Sequence, residues 1–152
     1  MKRILFNLFL IVTVTLSGYA QKETYNWFFG NRAGIDFNSG YPVIRNDGRM
    51  LAQMGSTVMS DTAGNLLFYS NGVRVWSRDH EIMPNGWYLA GCDFDQQSCI
   101  TMLKPGSDHL YYLFTVDSPT CASLGQNSYG GYYSVIDMNL NNGMGDIVPT
   151  MK

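Results

Sequence analysis

Residues 66–77 read Leu66-Leu67-Phe68-Tyr69-Ser70-Asn71-Gly72-Val73-Arg74-Val75-Trp76-Ser77, and this stretch decides the fold. Its first five residues are rich in the bulky apolar and aromatic side chains that fit a pleated, buried strand. Asn71-Gly72 then offers two positions that tolerate positive φ, the strongest short signal for a two-residue type I′ hairpin. Beyond it, Val73, Val75 and Ser77 alternate with Arg74 and Trp76, the period-two pattern of a strand. Working backwards, Asp61-Thr62-Ala63-Gly64-Asn65 reads as a turn, because Asp accepts from its own following backbone and Gly takes positive φ. Residues 56–60 (STVMS) supply a strand before it. Three strands joined by two tight turns predict an antiparallel meander.

The pattern recurs. Residues 98–104 (SCITMLK) resemble the first run, and Pro105-Gly106-Ser107-Asp108 is the turn. Residues 109–117 (HLYYLFTVD) and 131–138 (GYYSVIDM) follow as strands, separated by a longer loop, and residues 139–145 (NLNNGMG) form another turn. Ser56 aligns with Ser98 and Leu66 with Leu110, an offset of 42 to 44 residues. A unit of that length with three or four strands is the signature of a propeller blade. Residues 25–54, with Trp27-Phe28-Phe29-Gly30 and Gly34-Ile35-Asp36-Phe37, add one or two strands of an incomplete blade. The expected fold is all-β: antiparallel β-meander repeats forming a partial β-propeller of about two blades plus an incomplete one. Short strands at this spacing also fit a sandwich; the period favours the propeller. Trp27, Phe28, Phe29, Phe68, Trp76 and Phe114 are expected to pack the blades. Two blades and a fragment do not close a ring. Leu67, Tyr69, Leu113 and Phe114 are therefore expected on lateral faces that need neighbours, supplied by the remaining blades of a longer chain or by self-association.

The beginning of the chain reads as an address. Lys2 and Arg3 precede an apolar stretch over residues 4–16, and Gly18-Tyr19-Ala20 places small residues before a cut at Gln21. That is the layout of a secretory signal peptide over residues 1–20, leaving residues 21–152 as one exported domain. This thirteen-residue stretch, broken only by Asn7, Thr13 and Thr15, is too short to cross a hydrocarbon core of about 30 Å as a helix, and no later segment is apolar enough to span a membrane. Without Lys2 and Arg3, eight basic side chains face twelve acidic ones, a net charge of −4. An acidic exported surface disfavours nucleic acid and anionic lipid as partners. In an oxidising compartment two of the three cysteines are candidates to pair. Cys92 and Cys99, seven positions apart, would close a small loop; Cys121 is the alternative partner for either; and three free thiols packed as small hydrophobes is the third option. A zinc site is not indicated, since no C-x-x-C is present and His80 and His109 are isolated.

No catalytic signature stands out. Asp79 and Glu81 flank His80, and Asp93 and Asp95 flank Phe94, but nothing in the spacing sets a carboxylate pair across a scissile bond. Asp93 and Asp95 are weak calcium candidates without EF-hand spacing. Gly143 and Gly145 sit in a turn with no following helix to cradle an anion. The aromatics carry the best functional signal. Trp87, Tyr88 and Tyr129 sit among Gly and Asn residues and are the candidate ligand-binding rings, since flat rings with polar tips suit sugar faces and protein hot spots.

The blocks WFFGNRAGIDF, GNLLFYSNG with VW and IMPNG, YYLFT, and YSVIDMNLNNGMGD, in that order, resemble the N-terminal propeller-like region of large secreted Bacteroidetes surface proteins. Those proteins usually end in a gliding-motility-associated C-terminal domain, the type B sorting signal of type IX secretion. The resemblance spans residues 25–147. It implies export and surface attachment, with roles in adhesion, gliding or polymer capture, and brings no catalytic set and no cofactor. From this chain's own residues only the ordinary secretory step follows. The expected function is a secreted, cell-surface, non-enzymatic binding or structural module whose partner is a glycan or a cell-surface protein. The alternative is part of an extracellular propeller-type glycoside hydrolase.

Overall fold

The computed structural model describes residues 22–117, 121 and 130–149; the expected signal peptide and Tyr129 lie outside the described residues. The described residues form an all-β fold, with ten strands in three antiparallel sheets. The first sheet holds β1 (Asn26–Phe29), β2 (Ala33–Asp36) and β3 (Val43–Arg45). The second holds β4 (Thr57–Ser60), β5 (Leu66–Ser70) and β6 (Val75–Ser77). The third holds β7 (Cys99–Leu103), β8 (Leu110–Val116), β9 (Gly131–Asp137) and the short β10 (Asp146–Ile147). In every sheet, strands adjacent in sequence are adjacent in space. Residues 25–54 thus supply a full three-stranded sheet, where one or two strands were expected.

The second sheet lies between the other two. On one side Val58, Leu66, Tyr69 and Trp76 pack with Phe28 of β1 and with Met50 and Ala52 from the β3–β4 connection. On the other, Met59, Leu67, Phe68 and Val75 pack with Cys99, Tyr111, Leu113, Ile136 and Ile147 of the third sheet. A strand covered on both faces has no polar side, which is why β5 reads as a continuous apolar run. Leu67 and Phe68 are consecutive yet face the same cluster. A bulge between Met59 and Ser60 lets Leu66 and Leu67 together oppose Ser60, and the extra residue rotates the strand.

This arrangement corrects two expectations. Leu67, Tyr69 and Leu113 are buried between sheets rather than set on an open lateral face. Trp27 and Phe29 are not core: β1 alternates, with Phe28 buried and Trp27 left 51% exposed on the outer face of the first sheet. Phe114 likewise stands on the outer face of the third sheet, 38% exposed, against Tyr112 and Tyr133. Phe28, Phe68 and Trp76 are buried as expected.

The turns follow the chemistry of their residues. Asp61 accepts hydrogen bonds from the backbone N–H groups of Ala63 and Asn65 at 2.9 and 2.8 Å, and Gly64 takes φ 92°. Asn71-Gly72 departs from the two-residue hairpin, because β5 and β6 pair first at Ser70 and Val75. Asn71 is buried; its side-chain oxygen accepts from Val73 and Arg74 while its amide donates to the Leu51 carbonyl. Only Gly72 has positive φ. The side chain that a type I′ turn would leave in solvent is used instead to tie the turn to the preceding connection.

Candidate functional site

The sequence directed attention to His80 through its acidic neighbours, Asp79 and Glu81. Both are exposed, and the ring of His80 instead meets two residues distant in sequence. Its Nδ1 lies 3.0 Å from the hydroxyl of Tyr69 and its Nε2 3.4 Å from a carboxylate oxygen of Asp47. The Tyr69 oxygen already accepts the backbone N–H of Arg49 at 3.1 Å. The Tyr69 hydroxyl and the His80 Nδ1 thus share one hydrogen bond, and Nε2 faces the Asp47 carboxylate. Asp47 is in turn held by the Arg45 guanidinium, which also lies 3.6 Å from Asp36. Hydrogen bonding from Arg45 keeps the Asp47 carboxyl below its ordinary range, with burial opposing, and burial pushes the Tyr69 phenol up.

This relay rests on a rigid floor. Tyr69 is stacked between Phe28 (4.7 Å, 16°) and its cross-strand partner Trp76 (5.6 Å, 6°). Gly48 passes over the same Phe28 ring so closely that a Cβ there would come within 2.8 Å of it. His80 itself takes φ 64°, an uncommon conformation for a residue with a side chain. Above this floor opens a cavity of about 330 Å³ lined by Arg32, Asn46, Asp47, Gly48, Arg49, Asp79 and His80. Sequence reasoning missed this site, because Asp47, Tyr69 and His80 come from three segments that only sheet packing brings together.

The candidate aromatic rings sit elsewhere. Trp87 and Tyr88 are exposed, 42% and 78%, with ring centroids 6.1 Å apart. Arg74 of the β5–β6 turn places its guanidinium 5.4 Å from the Trp87 ring centre, a cation–π contact. Their loop runs beside β6: Val75 donates to Gly86, Leu89 donates to Val73, and the Leu89 side chain is buried. Tyr88, between these anchors, takes φ 56° and projects to solvent. The third candidate ring, Tyr129, is outside the described residues.

Asp93 and Asp95 lie half-buried in the connection to β7. Among the described residues no group of three or more His, Cys, Asp or Glu side chains converges as a metal site, so the structure brings these two no further acidic ligand. That connection is instead fixed covalently, since Cys92 bonds to Cys121 of the β8–β9 connection. The Cys92–Cys99 pairing is thereby replaced by the alternative through Cys121. Cys99 remains a free, buried thiol whose side chain belongs to the core, and burial raises its pKa to about 11. A thiol so poorly ionised is inert.

The first strands of the three sheets also converge. β4 lies beside β1 on one side and β7 on the other, and among the described residues each is an edge strand of its sheet. Thr57 of β4 and Thr101 of β7, 44 residues apart, join their hydroxyls at 2.7 Å. Clefts of about 330 and 500 Å³ flank β4 and share Ser56 and Thr57 in their walls.

Compared with known proteins, the chain matches no family model, no curated protein and no solved structure.

Proposed function

We propose that this chain is an exported, cell-surface, non-enzymatic binding and structural module, built as a partial β-propeller whose three sheets are successive blades. The observation that carries the reading is the middle sheet, whose two faces are both covered by its sequence neighbours, with β1, β4 and β7 side by side at one edge of the stack. Repeated sheets that bury one another laterally form an architecture that presents loops and edge grooves rather than one enclosed site. The 44-residue spacing of the bonded Thr57 and Thr101 supports the repeat. The likeness of the quoted blocks to exported Bacteroidetes surface proteins supports export and surface attachment. Trp87 and Tyr88, steadied by Arg74, supply a surface suited to a glycan or a cell-surface protein.

A glycan array and a pull-down from cell-surface extract test this with the purified protein. Retention of a glycan or surface protein, lost in Trp87→Ala/Tyr88→Ala, is the expected result. No retention of either class would overturn the reading.

A further inference from the structure

We infer that the outer face of the third sheet docks on the outer face of the first sheet of a second copy of this chain, so that two copies close head to tail into one ring. This deepens the stacked-sheet reading above and rests on it.

The two joints inside the chain share one pattern. In the second sheet Met59 and Phe68 pair across strands and face the third sheet, while the row Val58–Tyr69–Trp76 faces the first. The third sheet keeps the same register: Met102 pairs with Tyr112, 43 and 44 residues after Met59 and Phe68. Leu113, which follows Tyr112 as Tyr69 follows Phe68, is buried against the second sheet. Successive strand residues alternate between faces, so Tyr112 looks outward with Phe114. The face that the second sheet buries against its successor is thus the face that the third sheet leaves open. In the first sheet the reverse holds. Phe28 faces the second sheet, and the row Trp27–Ile35–Ile44 crosses the three strands on the opposite face, as Val58–Tyr69–Trp76 does in the second sheet. One chain therefore carries both halves of a further joint, one at each end of its stack.

The chemistry of the two open faces agrees. On the third sheet Ile100, Phe114 and Tyr133 form one exposed row, with Ile100 66% exposed. On the first sheet Trp27 and Ile44 are exposed, Ile44 by 76%. None of these side chains is charged, although the solvent face of an antiparallel sheet ordinarily turns polar. Exposed apolar patches rich in aromatic residues mark contact surfaces. Both joints within the chain set unlike faces together. That selects a head-to-tail contact over an isologous one, which would press a face against its own kind.

The number of copies follows from the number of sheets. Strands of different sheets meet mainly along β1, β4 and β7, so the sheets fan out from that edge as blades do about an axis. Rings of this kind hold about four to eight blades. With three sheets in the chain, two copies supply twice three, or six. One copy falls below that range and three copies exceed it. A head-to-tail contact that closes at two copies leaves no open face and stops there.

Sedimentation velocity over a concentration series tests the inference with the purified protein. The expected result is a reversible monomer–dimer equilibrium with no larger species; below its midpoint the copies separate and both outer faces are open. Ile44→Asp and Tyr133→Arg should each weaken association by at least about tenfold, since each sets an unpaired charge in an apolar contact. Both side chains are exposed in the single chain, so neither variant should move the melting temperature in dilute solution. Mixing the two variants should restore a dimer, because the third sheet of the Ile44→Asp copy and the first sheet of the Tyr133→Arg copy are both intact. Monomer at every concentration, growth beyond a dimer, a dimer that Ile44→Asp leaves unchanged, or a mixture that fails to associate would overturn the inference. A monomer that still retains a glycan or a surface protein would leave the module reading standing and remove only this contact; a dimer that retains neither would do the reverse.

Discussion

The middle sheet is covered on its two faces by different chemistry. The joint with the first sheet is an aromatic stack, Phe28–Tyr69–Trp76, whose rim is polar and charged through Arg45, Asp47 and His80. The joint with the third sheet is larger and mostly aliphatic, drawing on Leu67, Val75, Met83, Leu89, Leu113, Ile136 and Ile147 around Phe68, and its connections are stapled by Cys92–Cys121. Apolar burial scales with area and is insensitive to pH, whereas a charged rim is neither large nor pH-independent. The second joint is therefore expected to contribute most of the stability, and the first is expected to open more easily.

The largest effect should come from the aliphatic joint. Phe68→Ala empties the centre of that cluster and is expected to destabilise the protein by about 4 kcal/mol, measured by urea unfolding. Phe114→Ala, on the outer face of the same sheet, should cost less than about 1 kcal/mol. A Phe114 change as costly as the Phe68 one would show that the outer face is covered and that the two faces of the third sheet are not different after all.

Next comes the staple. Its 29-residue separation corresponds to about 3.5 kcal/mol of loop-closure entropy in the unfolded chain. Cys92→Ala/Cys121→Ala should lose most of this and lower the melting temperature, while Cys99→Ala should not mimic it through any disulfide effect. If Cys99 is labelled by a thiol reagent in the folded protein at pH 8, its burial in that joint is wrong.

Much of this contrast was legible in the sequence, and the part that was not has a physical reason. The period-two runs and turn residues around Leu66–Ser70 located the second sheet, because strand and turn propensities act over a few neighbours. Trp27 and Phe29 misled because an aromatic run does not say which alternate residues face inwards; pairing of β1 with β2 decides that. Asn71 misled because a long-range bond to Leu51 overrode the local turn preference. The cavity over His80 was invisible for the same reason, since Asp47, Tyr69 and His80 have no spacing that encodes their meeting. Cys92 and Cys121 were weighed as partners, but spacing alone does not rank one pairing above another.

At the aromatic joint the expected changes are smaller and local. Tyr69→Phe keeps the ring stack but removes the hydroxyl that accepts from Arg49 and shares a hydrogen bond with His80. The expected cost is about 1–2 kcal/mol, from a lost bond and two groups left partly unsatisfied. Amide hydrogen exchange should quicken in β1–β3 and stay unchanged in β7–β9. Equal acceleration in all three sheets would mean that the two joints open together rather than separately.

The smallest effect is the most specific to the charged rim. Asp47 has its pKa lowered below 3.8 chiefly by hydrogen bonding from Arg45. A carboxyl whose folded pKa is depressed stabilises the fold above its unfolded pKa, and that contribution is lost as pH falls through the folded pKa. With the side chain 45% exposed, solvent screening holds it to a few tenths of a kcal/mol, about the lower end for exposed ion pairs. Wild type should therefore exceed Asp47→Asn slightly between pH 5 and 7, by about that amount, and the two should converge only as pH falls through the depressed folded pKa of Asp47, where the wild-type carboxyl is also neutral. Added salt should shrink the gap at neutral pH. Reductant should act the other way round, loosening the stapled joint at every pH while leaving the Asp47 difference in place. A gap at neutral pH that added salt leaves unchanged would place the role of Asp47 in packing rather than charge, and would remove the electrostatic distinction between the two joints.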